Sequence, residues 1–115
     1  MSAHTRSASF EGAEARLVDV QVQVAGGTPN FMIVGLADKA VAESRERVRA
    51  AFAAIGLSLP GQRLIVNLAP ADRPKEGAHF DLPVAIGILI AMGVLPPEAG
   101  SGYLAMGELG LDGSI

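Results

Sequence analysis

The sequence predicts an α+β fold in which two helices pack on a mixed β-sheet, and three stretches predict it. Val18, Val20, Val22 and Val24 alternate with Asp19, Gln21 and Gln23, the two-residue period of a strand wet on one face. The segment "DKAVAESRERVRAAFAAIG", residues 38–56, places Val41, Ser44, Val48, Phe52 and Ile55 on one stripe at helical spacing. The run from Leu82 to Leu95 is almost wholly apolar, and it is too short to span a bilayer, so it belongs in a core.

Taken in order, Thr5–Phe10 is expected as a short strand and Ala15–Val24 as a longer one. Gly26-Gly27 marks a turn, Phe31–Val34 returns as a strand and Gly35 ends it. Asp38 is the expected N-cap of the first helix. Glu43 and Arg47 sit at the favourable i, i+4 spacing, worth about 0.2–0.5 kcal/mol. Gly56 stops that helix, with Leu57 placed to pack back on its last turn. Leu64–Leu68 is nearly continuous in apolar residues and reads as an interior strand covered on both faces. The second helix is expected over Asp81–Met92, with Asp81 as cap, Pro83 in the first turn and Gly93 as its end. Tyr103–Met106 and Leu109–Leu111 read as further β segments, giving the order β-β-β-α-β-α-β-(β).

The chain has 115 residues, the size of one ordinary domain, and half of them are hydrophobic. Nine Lys plus Arg against twelve Asp plus Glu give a net charge of −3, which argues against the strong basic stripe of a stand-alone DNA binder. There are no cysteines, so disulfides, thiol nucleophiles and thiolate metal sites are excluded. The N-terminus "MSAHTRSASFEG" has no apolar core of a signal peptide, and the expected setting is cytoplasmic, without a membrane partner. Asp112-Gly113 is a strong hairpin-turn signal followed by only Ser114 and Ile115, as expected of a chain cut from a longer protein just after a turn.

The chemistry concentrates in "NLAPADRPKEGAHFDLPVAIGIL", residues 67–89, where Asp72, Arg73, Lys75, Glu76, His79 and Asp81 crowd the entrance to the apolar helix. A phosphate-cradling loop needs G-x-x-x-x-G-K-[ST], and nothing here matches it. His79 and Asp81, with Asp72 and Glu76 upstream, have the ligand types for zinc or manganese but not the spacing of a known zinc motif; helix capping by Asp81 accounts for the same pattern. Nucleophilic catalysis needs a Ser, Thr or Cys beside a base, and the loop has none. Arg45, Arg47 and Arg49, with Arg63, Arg73 and Lys75, are candidate nucleic-acid contacts, but alternate arginines spread around a helix and Glu43 and Glu46 partly neutralise them, as on an ordinary solvated face.

The segments "VGL" into "ESRERVRAA", then "NLAPAD-PKEG--FDLP-AIGIL", then "GELGLDG" closely resemble the N-terminal domain of the magnesium-chelatase-like AAA+ proteins of the ComM (YifB) group. The resemblance covers the chain from Ser9 onward. More distantly the chain is similar to the Lon proteolytic domain and the C-terminal domain of RadA, which implies a ribosomal protein S5 domain 2-like fold. Lon-type proteases carry P-K-D-G-P-S-A-G at this loop, with the Ser as nucleophile; here the residues are Pro74, Lys75, Glu76, Gly77, Ala78, His79, Phe80 and Asp81. The resemblance therefore aligns Lys75, Glu76, Gly77, His79 and Asp81 with a nucleophile loop, puts His79 at the nucleophile position, and assigns no catalytic residue. It also implies a single N-terminal domain over residues 1–115, with an AAA+ module downstream. That module would use ATP and Mg2+, assemble as a hexameric ring and act on DNA as a branch-migration helicase in natural transformation. The remainder of the same chain is then this domain's first partner. Arg45, Arg49 and Arg73 are its candidate DNA contacts. The alternative is a divergent Lon-like peptidase or metal-dependent hydrolase using the 72–81 loop.

Overall fold

A computed structural model describes residues 2–71 and 73–115 of the chain. The elements are β1 (Ser2–Glu11), β2 (Glu14–Ala25), β3 (Asn30–Val34), α1 (Lys39–Ala42), α2 (Ser44–Ala54), β4 (Arg63–Ala69) and α3 (Asp81–Ala91). Short 3₁₀ turns at Ala78–Phe80 and Pro97–Gly100 flank α3. The sheet has the order β1-β2-β4-β3 and is mixed: β1 and β4 run antiparallel to β2, while β3 runs parallel to β4. A parallel pair requires a crossover, and α1 and α2 supply it.

The two-residue period of β2 settles the register. Val20 faces Leu68 and Val22 faces Val66 across the β2–β4 ladder, and all four are buried. Phe31 lies beside Leu64 on β3. Val48 and Phe52 of α2, with Val84 and Ile88 of α3, complete one core on that side of the sheet. The expectation that residues 64–68 are covered on both faces is corrected here. β4 is interior by position, but only Leu64, Val66 and Leu68 are buried, whereas Ile65 and Asn67 are half-buried on the face without helices. There Asn67 Nδ2 donates to Gln21 Oε1 at 3.0 Å. A single outward Ile among inward apolar residues is what disguised the alternation.

β1 is longer than the expected Thr5–Phe10. Its core-facing side chains, Ala3, Thr5, Ser7 and Ser9, are small, because α3 lies close on it. Thr5 Oγ1 donates to the Pro83 carbonyl at 2.8 Å. Gly87 permits the approach: a Cβ there would stand 2.6 Å from Val22 Cγ2. Small inward residues carry little hydrophobic signal, so periodicity alone underestimates the strand.

Asp38 caps the first helix as its position predicts, its Oδ1 accepting from Val41 N at 2.8 Å. The single helix expected over 38–56 is divided by a tightened turn at Glu43, whose carbonyl accepts from Glu46 N at 3.0 Å and from Arg47 N at 3.3 Å. The apolar stripe is also corrected at its end. Ala51, not Ile55, joins Val41, Ser44, Val48 and Phe52 inside, and Ile55 is 58% exposed. Gly56 takes a positive φ of 81°, with Gly56 N bonded to Ala53 O and Leu57 N to Phe52 O, the paired bonds of a Schellman stop. Tyr103–Met106 and Leu109–Leu111 are not strands. The first makes one rung, Ala105 N to Arg6 O at 2.9 Å, along the free edge of β1, and the second leads into the Asp112-Gly113 turn, closed by Gly110 N to Ser114 O at 2.7 Å. No described helix is long and apolar enough to cross a membrane.

Candidate functional site: the 70–81 loop and its clamp

The loop after β4 folds back beside the segment that leaves β3. Lys75 pairs with Ala37 in a short parallel bridge, through Lys75 N to Leu36 O and Asp38 N to Lys75 O, both 3.0 Å. Leu36 takes a left-handed φ of 53°, uncommon for a residue with a side chain, directly after Gly35. Gly35 is required because a Cβ would drive into the Leu68 backbone carbonyl. The Asp38 carboxylate therefore serves two segments: Oδ1 caps α1 and Oδ2 accepts from Gly77 N at 3.4 Å.

Lys75 is fully buried, and its Nζ donates to the Pro70 carbonyl. A buried ammonium is costly unless its donors are met, so this lysine is committed to the loop's interior. Glu76 is exposed and Gly77 half-buried, and both line an open cleft of about 820 Å³ with Ser9, Phe10, Gly12, Asp38, Pro74 and His79. The imidazole of His79, the residue in the nucleophile position of the resemblance, donates from Nε2 to the Ala8 carbonyl on the edge of β1 at 2.7 Å. The acceptor fixes a proton on Nε2. The ring also lies against Phe80, at 4.3 Å between centroids, and nearer solvent against Phe10 at 6.0 Å.

Asp81 corrects the sequence reading most sharply. It does not cap α3; the N-cap position is Phe80, which makes no side-chain cap bond, and Asp81 is the first helical residue. Its carboxylate is fully buried and gathers donors from two other segments. Arg47 Nε donates to Oδ2 at 2.5 Å and Arg47 Nη2 to Oδ1 at 3.1 Å; Ser44 Oγ donates to Oδ1; Leu109 N donates to Oδ2 at 3.1 Å. The α3 amide exposed by the missing side-chain cap is met instead by a backbone carbonyl, Leu82 N donating to Gly107 O at 3.0 Å. The Asp81 hydrogen bond raises the Arg47 pKa further above its ordinary value, against the opposing effect of burial, so the guanidinium stays charged. Arg47 thus leaves the group of candidate nucleic-acid contacts. Its expected i, i+4 pair with Glu43 survives only at 3.9 Å, because the buried carboxylate is the better partner. This clamp was not expected. The only sequence signal for it was the coincidence of a Ser and an Arg one turn apart in residues 44–47 with an Asp opening an apolar helix.

The remaining candidates are distributed. Arg45 and Arg49 share one side of α2 over Phe31, with Arg45 Nη1 3.4 Å from the Phe31 carbonyl and the Arg49 guanidinium 5.8 Å from the Phe31 ring centroid. Arg73 sits in the loop past the opposite end of β4, its amide bonded to Pro70 O at 3.4 Å. Phe31 pairs with Leu64 and the loop starts after Ala69, so about five residues of strand, roughly 17 Å, separate the two places. Asp72, the further carboxylate of the metal reading, lies outside the described residues. Among the described residues no three His, Asp or Glu side chains converge to hold a metal ion.

The fold and loop together define a mixed α+β domain whose charged loop is fastened from inside, by a Lys–carbonyl, a His–carbonyl and an Arg–Asp contact. Residues 20–115 match the family described as subunit ChlI of Mg-chelatase, and the chain belongs to that family. It is 44% identical over 104 residues to competence protein ComM of Haemophilus influenzae, covering 90% of this chain and 20% of that protein. It is 41% identical over 112 residues to the protein YifB of Escherichia coli, covering 97% of this chain and 22% of that protein, and 38% identical over 109 residues to a Mycobacterium tuberculosis protein, Rv2897c, covering 95% and 22%. The chain therefore spans about one fifth of the length of these relatives.

Proposed function

We propose that this chain is the non-catalytic N-terminal domain of a ComM-type AAA+ protein, serving assembly, docking or DNA guidance around an ATP-driven ring. In this reading the motor lies in the remainder of the longer chain and binds ATP and Mg2+ there. The assembly is a hexamer, and the whole protein is a DNA helicase that drives branch migration in natural transformation and recombination. Family membership supports the reading, as does the word competence in the name of the Haemophilus relative. The likeness to the Lon proteolytic domain is kept as one of fold.

One observation carries the non-catalytic part: the loop offers no hydroxyl where a Lon-type nucleophile would stand. A peptidase of the Lon type needs a hydroxyl nucleophile and a lysine base. Here the nucleophile position holds His79, which has no hydroxyl and donates from Nε2 to the Ala8 carbonyl.

The test uses the full-length protein beside this domain. Gel-shift titrations with branched and single-stranded DNA across salt are expected to show salt-dependent binding by the full-length protein, since phosphate contacts release counterions. Casein and peptide turnover, with and without zinc, is expected to be absent. Turnover abolished by His79→Ala would establish the peptidase or metal-hydrolase reading instead. Binding that is absent or insensitive to salt would remove the DNA role.

A further inference from the structure

Ser9 is only 5% exposed, yet its hydroxyl has no hydrogen-bond partner among the described residues. Burying a hydroxyl without a partner is costly. Thr5, on the same inward row of β1, gives its hydroxyl to the Pro83 carbonyl. Ser7 Oγ is also unmet, but it is wholly buried. Ser9 differs from both in lining the open cleft of about 820 Å³ beside the 70–81 loop.

The other polar groups around that cleft are acceptors. His79 gives its Nε2 proton to the Ala8 carbonyl, which leaves Nδ1 of the neutral ring with a lone pair. That nitrogen lies over Gly77, where an added Cβ would stand 3.0 Å from it. Asp38 Oδ2 receives Gly77 N only at 3.4 Å, and a carboxylate has about four lone-pair sites, so acceptor capacity is left over. Glu76 is exposed. No Lys or Arg among the described residues lines the cleft. Phe10, 59% exposed, adds an aromatic ring 6.0 Å from that of His79.

These groups select by charge. A phosphate would meet two carboxylates and no cation. A metal ion needs ligands that converge, and among the described residues no three do. An organic cation suits the whole set: carboxylates pair with it, the Ser9 hydroxyl and His79 Nδ1 accept its N–H groups, and an aromatic face attracts it. A guanidinium suits it best, because its five donors lie in one plane that also stacks on a ring. The cleft falls within the range of ligand sites, about 300–1,000 Å³, and leaves room for a backbone beside the cation.

We propose that this cleft binds an arginine side chain presented by a polypeptide. The Asp38 and Glu76 carboxylates and the Ser9 hydroxyl hold the guanidinium, which lies against the Phe10 ring. The occupant gives the Ser9 hydroxyl the partner that the fold leaves out. This site goes beyond the function proposed above and holds whether or not the parent chain moves DNA.

Calorimetric titration of the full-length protein with the capped tripeptide Gly-Arg-Gly tests it. Capped Gly-citrulline-Gly keeps the shape and removes the charge; capped Gly-Lys-Gly keeps the charge and removes the fork. The arginine peptide is expected to bind saturably, about tenfold or more tighter than the citrulline peptide and about threefold or more tighter than the lysine peptide. Ser9→Ala, a change small enough for the fold to accept, should weaken binding about tenfold. Glu76→Gln, at an exposed carboxylate, should weaken it about three- to fivefold. Glu98→Gln, in the 3₁₀ turn after α3 and outside the cleft, should leave it unchanged. Absence of saturable binding would overturn the proposal. So would a citrulline or lysine peptide that binds as tightly, or binding that survives both Ser9→Ala and Glu76→Gln. Free arginine amide that binds as tightly as the tripeptide would overturn the assignment to a polypeptide.

Discussion

Arg47 grips Asp81 with two nitrogens, Nε at 2.5 Å from Oδ2 and Nη2 at 3.1 Å from Oδ1, and the carboxylate has no exposure to water. The pair is 34 residues apart in sequence and joins α2 to the first turn of α3. Desolvating both charges offsets much of their attraction, so the pair is better understood as fixing geometry than as a large net stabiliser. Its fork geometry admits one relative placement of the two helices, and Ser44 Oγ and Leu109 N complete the carboxylate's shell.

Removing one partner of such a pair strands the other. Asp81→Ala is expected to lower stability by about 3–5 kcal/mol, because Arg47 would keep its charge with its best acceptor gone. Arg47→Lys should cost less, but it is not conservative here, since an ammonium cannot reproduce the two-nitrogen contact. Urea unfolding of both variants, followed by far-ultraviolet circular dichroism, checks the order. An Asp81→Ala midpoint equal to the original would show that the pair contributes nothing.

Two glycines are predicted to resist substitution for different reasons. In Gly87→Ala, better helix propensity contributes about 1 kcal/mol in favour. The new Cβ would meet Val22 Cγ2 at 2.6 Å, and overpacking of that kind costs about 1–3 kcal/mol, so the variant should melt below the original. Gly35→Ala should be worse, as φ is 113° and the obstacle is the Leu68 backbone, which has no rotamer to escape into. Thermal melts of the two variants should fall in that order.

Asp38 caps α1 and also receives Gly77 N, so Asp38→Ala should cost about 1–2 kcal/mol, toward the upper end of what cap removal alone costs. Asp38→Asn retains an oxygen for Val41 N but sets an NH2 against Gly77 N, so its loss should lie between none and that of Asp38→Ala. Equal losses in the two variants, read from denaturant midpoints, would mean that the oxygen kept for Val41 N contributes little.

The sequence displayed the local parts of this structure and concealed the contacts between distant ones. The alternation of Val18 to Val24, the Asp38 cap, the Gly56 stop and the Asp112-Gly113 turn each depend on residues within one or two turns of each other, and all are present. β1 reads too short in the sequence because Ala3, its inward residue before Thr5, is too small to signal burial until α3 is seen to lie against it. Leu64–Leu68 looked two-sided because Ile65 is apolar, although it faces away from the helices. An Asp before an apolar helix ordinarily reads as its cap, and Asp81 is not one. Its partners, Ser44, Arg47 and Leu109, lie 28 to 37 residues away, and no periodicity connects them. The candidate loop was legible as a place, but what its residues do was decided by tertiary partners.

His79 tests whether that loop is held from within. Its Nε2 donates to the Ala8 carbonyl at 2.7 Å, and Ala8 itself is buried, so the carbonyl has poor access to water once the ring is gone. His79→Phe keeps an aromatic ring beside Phe80 but removes the donor, and leaving a buried acceptor unmet costs about 1–3 kcal/mol. His79→Gln has a donor on a more flexible stem and should recover part of that loss. His79→Ala loses ring and donor together and should be the least stable of the three. Melting temperatures should therefore rank the original above Gln, then Phe, then Ala, with a shift of roughly 4 °C per kcal/mol for a domain of this size. A His79→Phe variant as stable as the original would show that the Ala8 contact does not fasten the loop, and the imidazole would then be available for chemistry after all.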